Sequence, residues 1–78
     1  MLRASDLSVG MRARILSLDD APLSRRLAEM GCVPQTVITL KFKAPAGDPM
    51  AFDIDGYLLG LRRNEAQHIL VEEVKDGH

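Results

Sequence analysis

Few side chains in this sequence are of the types that catalyse reactions. There is one cysteine, Cys32, there are two histidines, His68 and His78, and no serine lies in a nucleophile-elbow motif. A nucleophile needs a general base within hydrogen-bonding reach, and that base needs a third group to orient it. Cys32 follows a predicted helix C-terminus, where the helix dipole disfavours a thiolate. We therefore predict that the protein is not an enzyme and that Cys32 is a small filler of the core.

The acidic residues are spaced poorly for metal binding. Transition metals are held by imidazole and carboxylate groups that converge on one point. Asp53 and Asp55 share a predicted strand face and Asp48 is nearby, but His68 is isolated and His78 lies in the tail. We predict no metal site and no cofactor, and interpret the aspartates as a solvated acidic surface, with a weak surface cation site as the alternative. The glycines form no phosphate-binding motif, so no nucleotide site is predicted.

The basic side chains suggest a different function, which is binding of a partner through the protein surface. Lys41 and Lys43 project from one face of a predicted strand, and Arg12 and Arg14 do so from another. If the two strands are neighbours, the four side chains form a basic ladder, which is either a docking face or an ordinary solvated sheet face. The formal net charge is −1, so a nucleic acid would have to be held by this local patch, and we do not expect one.

The first two elements that position these residues are a strand and a helix. Apolar and charged side chains alternate through residues 11–15, which predicts a strand, and the alternation slips at Leu16, which predicts a bulge. Residues 19–22 are typical of a helix start, and Gly31 of a helix end. Three apolar residues share one face of the helix: Leu23, Leu27 and Met30.

The rest of the chain alternates in short runs between turn signals. Residues 37–43 predict a strand, and residues 45–49 a turn bracketed by two prolines. Asp55-Gly56 predicts a type I′ hairpin turn before a returning strand, residues 57–61. Six side chains of these strands are predicted to face the core: Ile38, Leu40, Phe42, Met50, Phe52 and Ile54.

The last elements complete a mainly β chain. Asn64 is predicted to cap a single helical turn, and residues 69–74 form a final strand. About five short strands, one short α-helix and a helical turn predict a small antiparallel barrel, because closure removes exposed sheet edges.

The length of 78 residues, 46% of them hydrophobic, fits one domain over 1–78. No stretch is typical of a secretory signal or a membrane span, so we expect a cytoplasmic protein without direct membrane insertion. An open strand edge would allow a homo-oligomer.

Three motifs, in order and at set spacing, resemble the FeoA family of ferrous iron transport accessory proteins. They are RLAEMGCVP at 26–34, APAGDP at 44–49 and LRRNEA at 61–66. The resemblance covers roughly Leu7 to Val74. It implies an SH3-like barrel, without enzymatic activity, that works with FeoB, the membrane ferrous iron transporter whose cytoplasmic part binds guanine nucleotide. In one departure the chain has Pro34-Gln35 where the family has Pro-Gly, so Gln35 either carries strain in a type II turn or the turn is of type I.

The resemblance and the lack of a catalytic constellation predict an accessory protein of ferrous iron uptake that docks on the cytoplasmic region of a FeoB-like transporter. The alternatives are a nucleic-acid-binding or transcription-regulatory SH3-like module, since related domains occur in iron-dependent repressors, and a weak metal carrier. We also expect Arg62 or Arg63 to form a salt bridge with Glu65 or Asp48. The residues predicted to contact the partner are charged: Arg25, Arg26, Glu29, Lys41, Lys43 and Arg62.

Overall fold

A computed structural model of the chain describes residues 1–75, and the expectations for His78 lie outside them. The order of elements agrees with the predicted one. After a 3₁₀ turn, Ala4–Asp6, the elements are β1 Arg12–Leu18, α1 Ala21–Ala28, β2 Val37–Lys43, β3 Met50–Ile54, β4 Tyr57–Leu61, α2 Arg63–Ala66 and β5 Ile69–Glu73. The prediction of a mainly β fold with five strands is confirmed. No helix within residues 1–75 has the length and hydropathy that crossing a membrane requires.

The five strands form one antiparallel sheet in the order β4-β3-β2-β1-β5. The outer edge of β5 is covered by the start of the chain, where Arg3 bridges Leu70 and the Val71 N–H donates to the Leu2 carbonyl at 3.0 Å. Among the described strands, β4 pairs with β3 alone. One sheet edge is therefore covered and the other is open.

Two β-bulges interrupt the alternation of side chains. The bulge in β1 lies between Ile15 and Ser17, where the sequence predicts it. A second one lies in β2 between Leu40 and Phe42, where the unbroken alternation of residues 37–43 does not predict it. Because Lys41 is the extra residue, the side chains after it change faces, and Phe42 is 54% exposed. The prediction that Phe42 faces the core is therefore wrong.

The core lies between the sheet and α1. Met50, Phe52 and Ile54 of β3 are at most 2% exposed, as predicted, and Leu23 and Leu27 of α1 pack against the same cluster. Met30 is only partly buried at its margin. The inward faces of β3 and α1 were thus predicted correctly.

The turns at the two helices differ in how well the sequence predicted them. Asp20 caps α1, since its carboxylate accepts the Leu23 N–H at 3.0 Å. At α2 the prediction was wrong, because the helix begins at Arg63 and contains Asn64. Arg62 occupies the capping position, and its N–H donates to the Glu65 carboxylate at 2.8 Å.

Two other turns contain side chains in the left-handed region. Asp55 and Gly56 have φ values of 49° and 95°, which confirms the type I′ hairpin between β3 and β4. Gln35 has φ of 81°, and the Thr36 N–H donates to the Val33 carbonyl at 3.1 Å. The turn is therefore of type II, and Gln35 carries the strain that the sequence left as one of two alternatives.

Candidate functional site

Glu65 joins the two helices on one side of the sheet. Its carboxylate forms an ion pair with the Arg26 guanidinium of α1 and accepts the Arg62 N–H at the start of α2. Glu65 is half-buried and Arg26 is exposed. The predicted salt bridge from Arg62 or Arg63 is replaced by this Arg26 pair. Arg62 takes part only through its backbone, which leaves its side chain exposed.

Asp48 fixes the proline-bracketed turn against α2. Its carboxylate accepts the Arg63 N–H at 3.0 Å, so again the backbone of an arginine makes the contact. Gly47 lies beside the same residue, since a Cβ there would stand 3.2 Å from Nη1 of Arg63. The turn between β2 and β3 is thus held close to the start of α2.

Lys43 lies at the same end of the sheet. It is paired with Met50, which is paired with Leu61, the residue before Arg62. Neighbouring strands are about 4.8 Å apart, so the backbone of Lys43 is about 10 Å from that of Leu61. The structure therefore brings Lys43 and Arg62 together although 18 residues separate them in sequence.

The charged residues at and around these contacts form a set that we call the charged band. It runs from the exposed side of α1 through α2 to the end of β2, and five of its members are basic and three acidic, in a chain with a net charge of −1. Five of the six predicted partner-binding residues belong to it. Its members are Arg25, Arg26, Glu29, Lys43, Asp48, Arg62, Arg63 and Glu65.

The predicted basic ladder is only partly present. β1 and β2 are neighbours, with Arg12 paired with Thr39. However, Arg14 forms an ion pair with Glu72 of β5 at 3.0 Å, and the bulge places Lys43 on the face of the buried Met50. The structure therefore does not gather the four basic side chains into one patch, which removes the main support for the nucleic-acid alternative.

A second polar cluster surrounds His68, between the N-terminal segment and α2. The Asp19 carboxylate pairs with the Arg3 guanidinium at 2.7 Å and with Nδ1 of His68 at 2.8 Å. The hydrogen bond from Arg3, and then the one from His68, lower the pKa of Asp19. His68 also lines an open groove of about 470 Å³ between α1 and α2, together with Arg26 and Glu65. The cluster joins the N-terminal segment to the end of β1 and to the residues just before β5, and it offers a polar surface next to the charged band.

The other chemically distinctive residues form no site. Cys32 is 2% exposed, and burial raises its pKa to about 11, so the thiol stays protonated at neutral pH and the core-filler interpretation is confirmed. Asp55 lies in the turn after β3, so the prediction that it shares a strand face with Asp53 is wrong. Within residues 1–75 no three His, Cys, Asp or Glu side chains are grouped as metal ligands would be.

Glu65 and Asp48 were predicted as salt-bridge partners of Arg62 or Arg63. In the structure both carboxylates accept arginine backbone N–H groups instead, and the side chain that pairs with Glu65 is that of Arg26, which the sequence did not predict. The backbone contact of Glu65 had a signal in the sequence. An acidic residue three positions after a helix cap commonly accepts the N–H of that cap, and Glu65 stands at this distance from Arg62. The pairs of Arg26 with Glu65 and of Asp19 with His68 had no such signal, because they join residues far apart in sequence.

Comparison with known proteins gives matches along almost the whole chain. The family model described as the FeoA domain matches residues 2–73. A curated relative from Porphyromonas gingivalis, a fusion protein of Fe(2+) transport protein A and Fe(2+) transporter FeoB, is 38% identical over 72 residues. The match covers 91% of this chain but only 8% of that relative, so the chain spans a small part of its length.

Solved structures with this fold include FeoA from Chlorobium tepidum, with 33% identity and a TM-score of 0.89 over 99% of this chain and 74% of that one. FeoA from Stenotrophomonas maltophilia, solved with zinc, has 26% identity and a TM-score of 0.81 over 92% of this chain and 91% of that one. The latter is described as an SH3-domain protein and a candidate ferrous iron transport activating factor. The expected SH3-like fold is confirmed.

Proposed function

This chain belongs to the FeoA domain family, and from that premise we propose that it is a cytoplasmic, non-enzymatic accessory protein of ferrous iron uptake that docks on a FeoB-type transporter. One observation carries the proposal: in the Porphyromonas gingivalis relative the corresponding domain is fused to FeoB. Fusion raises the effective concentration of two domains for one another, which is useful when the domains work in contact. Separate chains of the same kinds would then have to associate.

The charged band is the surface that we assign to the contact. Its arginine side chains are exposed, and the backbone N–H groups of two of them, Arg62 and Arg63, are held by Glu65 and Asp48. The backbone of such a surface loses little conformational entropy on binding, so the entropy cost is confined to ordering the exposed side chains. Because the band has more basic than acidic members, it is complementary to an acidic surface on the transporter.

Within residues 1–75, the placement of the two most reactive groups favours an action on the transporter through contact. The Cys32 thiol is buried and protonated, and the Asp19–His68 pair is engaged by Arg3. Neither arrangement presents an activated nucleophile to a substrate. Support for the non-enzymatic part of the proposal therefore comes from where these groups are placed.

The test is direct binding to the purified transporter of the same organism, held in lipid nanodiscs, with and without a non-hydrolysable GTP analogue. We expect a complex that weakens as salt rises, because the contact is electrostatic. Lys43→Glu should weaken the complex by about tenfold or more, because it replaces an attractive charge pair with a repulsive one. Lys75→Glu is the matched control, since it makes the same charge change at an exposed lysine outside the charged band.

Two outcomes would contradict the proposal in different ways. If no complex forms at low salt with either nucleotide state, docking on the transporter is wrong. If a complex forms but Lys43→Glu and Lys75→Glu affect it equally, docking stands and the charged band is the wrong surface. A circular dichroism spectrum of each variant confirms that the fold is retained.

A further inference from the structure

The open edge of β4 presents backbone groups that the sheet does not use. The two-residue loop Asp55–Gly56 makes Ile54 and Tyr57 a hydrogen-bonded pair, and pairs alternate along an antiparallel ladder. Alternate residues of β4 after Tyr57 therefore bond to β3. The two residues between them, Leu58 and Gly60, direct their N–H and C=O groups away from the sheet.

This edge lacks the devices that keep sheet edges from pairing. Natural edge strands are blunted by charged side chains, proline, bulges or a covering segment. Residues 57–61 read Tyr-Leu-Leu-Gly-Leu, with neither charge nor proline, and the register between β3 and β4 is unbroken. The opposite edge of the sheet, on β5, is by contrast covered by Leu2 and Arg3. Of the two edges in the described sheet, only β4 is available to another strand.

The outer face of this edge has complementary large and small positions. Leu58 is 58% exposed and stands beside Asp53, whereas Gly60 stands in a row with Ala51 and Phe42. A Cβ built on Gly60 meets no atom within 4 Å. A large apolar side chain from another strand can therefore lie over Gly60, next to the apolar row.

We propose that β4 pairs with β4 of a second copy of this chain, antiparallel and centred on Leu59. In that register Leu58 of each copy lies opposite Gly60 of the other, so the large side chain covers the small one twice. The outward N–H and C=O groups of both residues are satisfied in both copies, and the two Leu59 residues meet on the two-fold axis as a non-hydrogen-bonded pair. Antiparallel registers shifted by two residues leave part of this set unpaired.

The second copy is the occupant because the strand complements itself. The register that uses all the free backbone groups is also the one that places a leucine on each glycine, and it is symmetric. On the outer face the row of Phe42, Ala51 and Gly60 continues into Leu58 of the other copy. Such cross-strand contacts are the unit of sheet stabilisation. The inference does not rest on the proposed docking to a transporter, since it concerns the chain alone.

Sedimentation equilibrium of the purified chain from micromolar to millimolar concentration tests the proposal. We expect a reversible monomer–dimer equilibrium. Leu58→Lys puts a charge on the edge and should weaken dimerisation by about tenfold or more. Val9→Lys is the matched control, because Val9 is also 58% exposed and lies before β1, away from the β4 edge, so it should leave the equilibrium unchanged.

A double variant tests the register. Gly60→Glu alone should also weaken the dimer, but Leu58→Lys combined with Gly60→Glu places opposite charges across each pair and should recover most of the affinity. A chain that stays monomeric at all concentrations overturns the proposal, even if Leu58→Lys then disturbs binding to a transporter. A dimer that Leu58→Lys leaves intact, or that the double variant fails to restore, overturns it as well.

Discussion

Gln35 offers a sharp test of the local backbone, because its side chain does nothing that the structure requires. The residue is exposed, and its N–H donates to the Ile15 carbonyl at 2.8 Å, a contact that any residue except proline can make. Its φ of 81° lies in the left-handed region, at the third position of the type II turn. Gln35→Gly should therefore stabilise the protein.

The size of the effect follows from two opposing terms. A non-glycine residue in the left-handed region costs about 1–2 kcal/mol, and glycine removes that cost. Glycine also makes the unfolded chain more flexible, which returns about 0.5–1 kcal/mol. The free energy of unfolding should thus rise by about 0.5–1 kcal/mol. For a small domain whose urea slope is about 1 kcal/mol per M, the urea midpoint should rise by about 0.5–1 M at unchanged slope.

Equilibrium urea unfolding followed by circular dichroism measures this change. Asp55→Gly is the control, since Asp55 also has a positive φ, 49°, but aspartate tolerates that region in a hairpin turn. The control should shift the midpoint much less. A lower midpoint for Gln35→Gly would refute the reasoning, and so would equal gains in both variants, because the gain would then not come from the strain at Gln35.

Two further predictions concern the hydrophobic core and the loss of stability at acidic pH. Phe52→Ala should lower the free energy of unfolding, measured in urea, by about 3–5 kcal/mol, because Phe52 is fully buried. Phe42→Ala should lower it by less than about 1 kcal/mol, since Phe42 is 54% exposed. Equal losses in the two variants would contradict the bulge that turns Phe42 outward. Arg3 and His68 lower the pKa of Asp19 below its ordinary 3.8, so ionised Asp19 stabilises the fold above that pH, and the contribution is lost as pH falls through the folded-state pKa. Asp19→Asn should lower stability at neutral pH and make it fall less below pH 3.8, and parallel curves for both proteins would contradict the assignment.

The sequence predicts an element well where its own residues decide the structure. The alternation of β3 placed Met50, Phe52 and Ile54 inside because no bulge interrupts that strand against β4. Asp55-Gly56 fixed its hairpin because the turn type depends on φ values that these two residues adopt by themselves. In both cases the physical cause lies within a few residues of the effect.

The sequence predicts a local structure poorly where contacts with another segment of the chain determine it. Apolar and polar side chains alternate without a break through residues 37–43, yet Phe42 points outward. The bulge that turns it outward depends on the register between β2 and β3, which the residues of β2 alone do not determine. The start of α2 is set by the reach of the Glu65 carboxylate to the Arg62 N–H, which outcompeted the capping preference of Asn64. The charged residues of the candidate site were therefore identified by type, but their arrangement came from tertiary contacts.

The bulge at Lys41 affects both surfaces to which we assign binding, the charged band and the β4 edge. Without the extra residue, strict alternation would turn Phe42 into the core and leave Lys43 on the outer face with Thr39. With it, Phe42 joins the apolar row that leads across Ala51 to the β4 edge, and Lys43 joins the charged band beside α2. One inserted residue thus separates an apolar surface from a charged one at the same end of a small sheet. The bulge turns these two neighbouring side chains to opposite faces of the sheet without changing the strand order, so one short strand contributes to both surfaces.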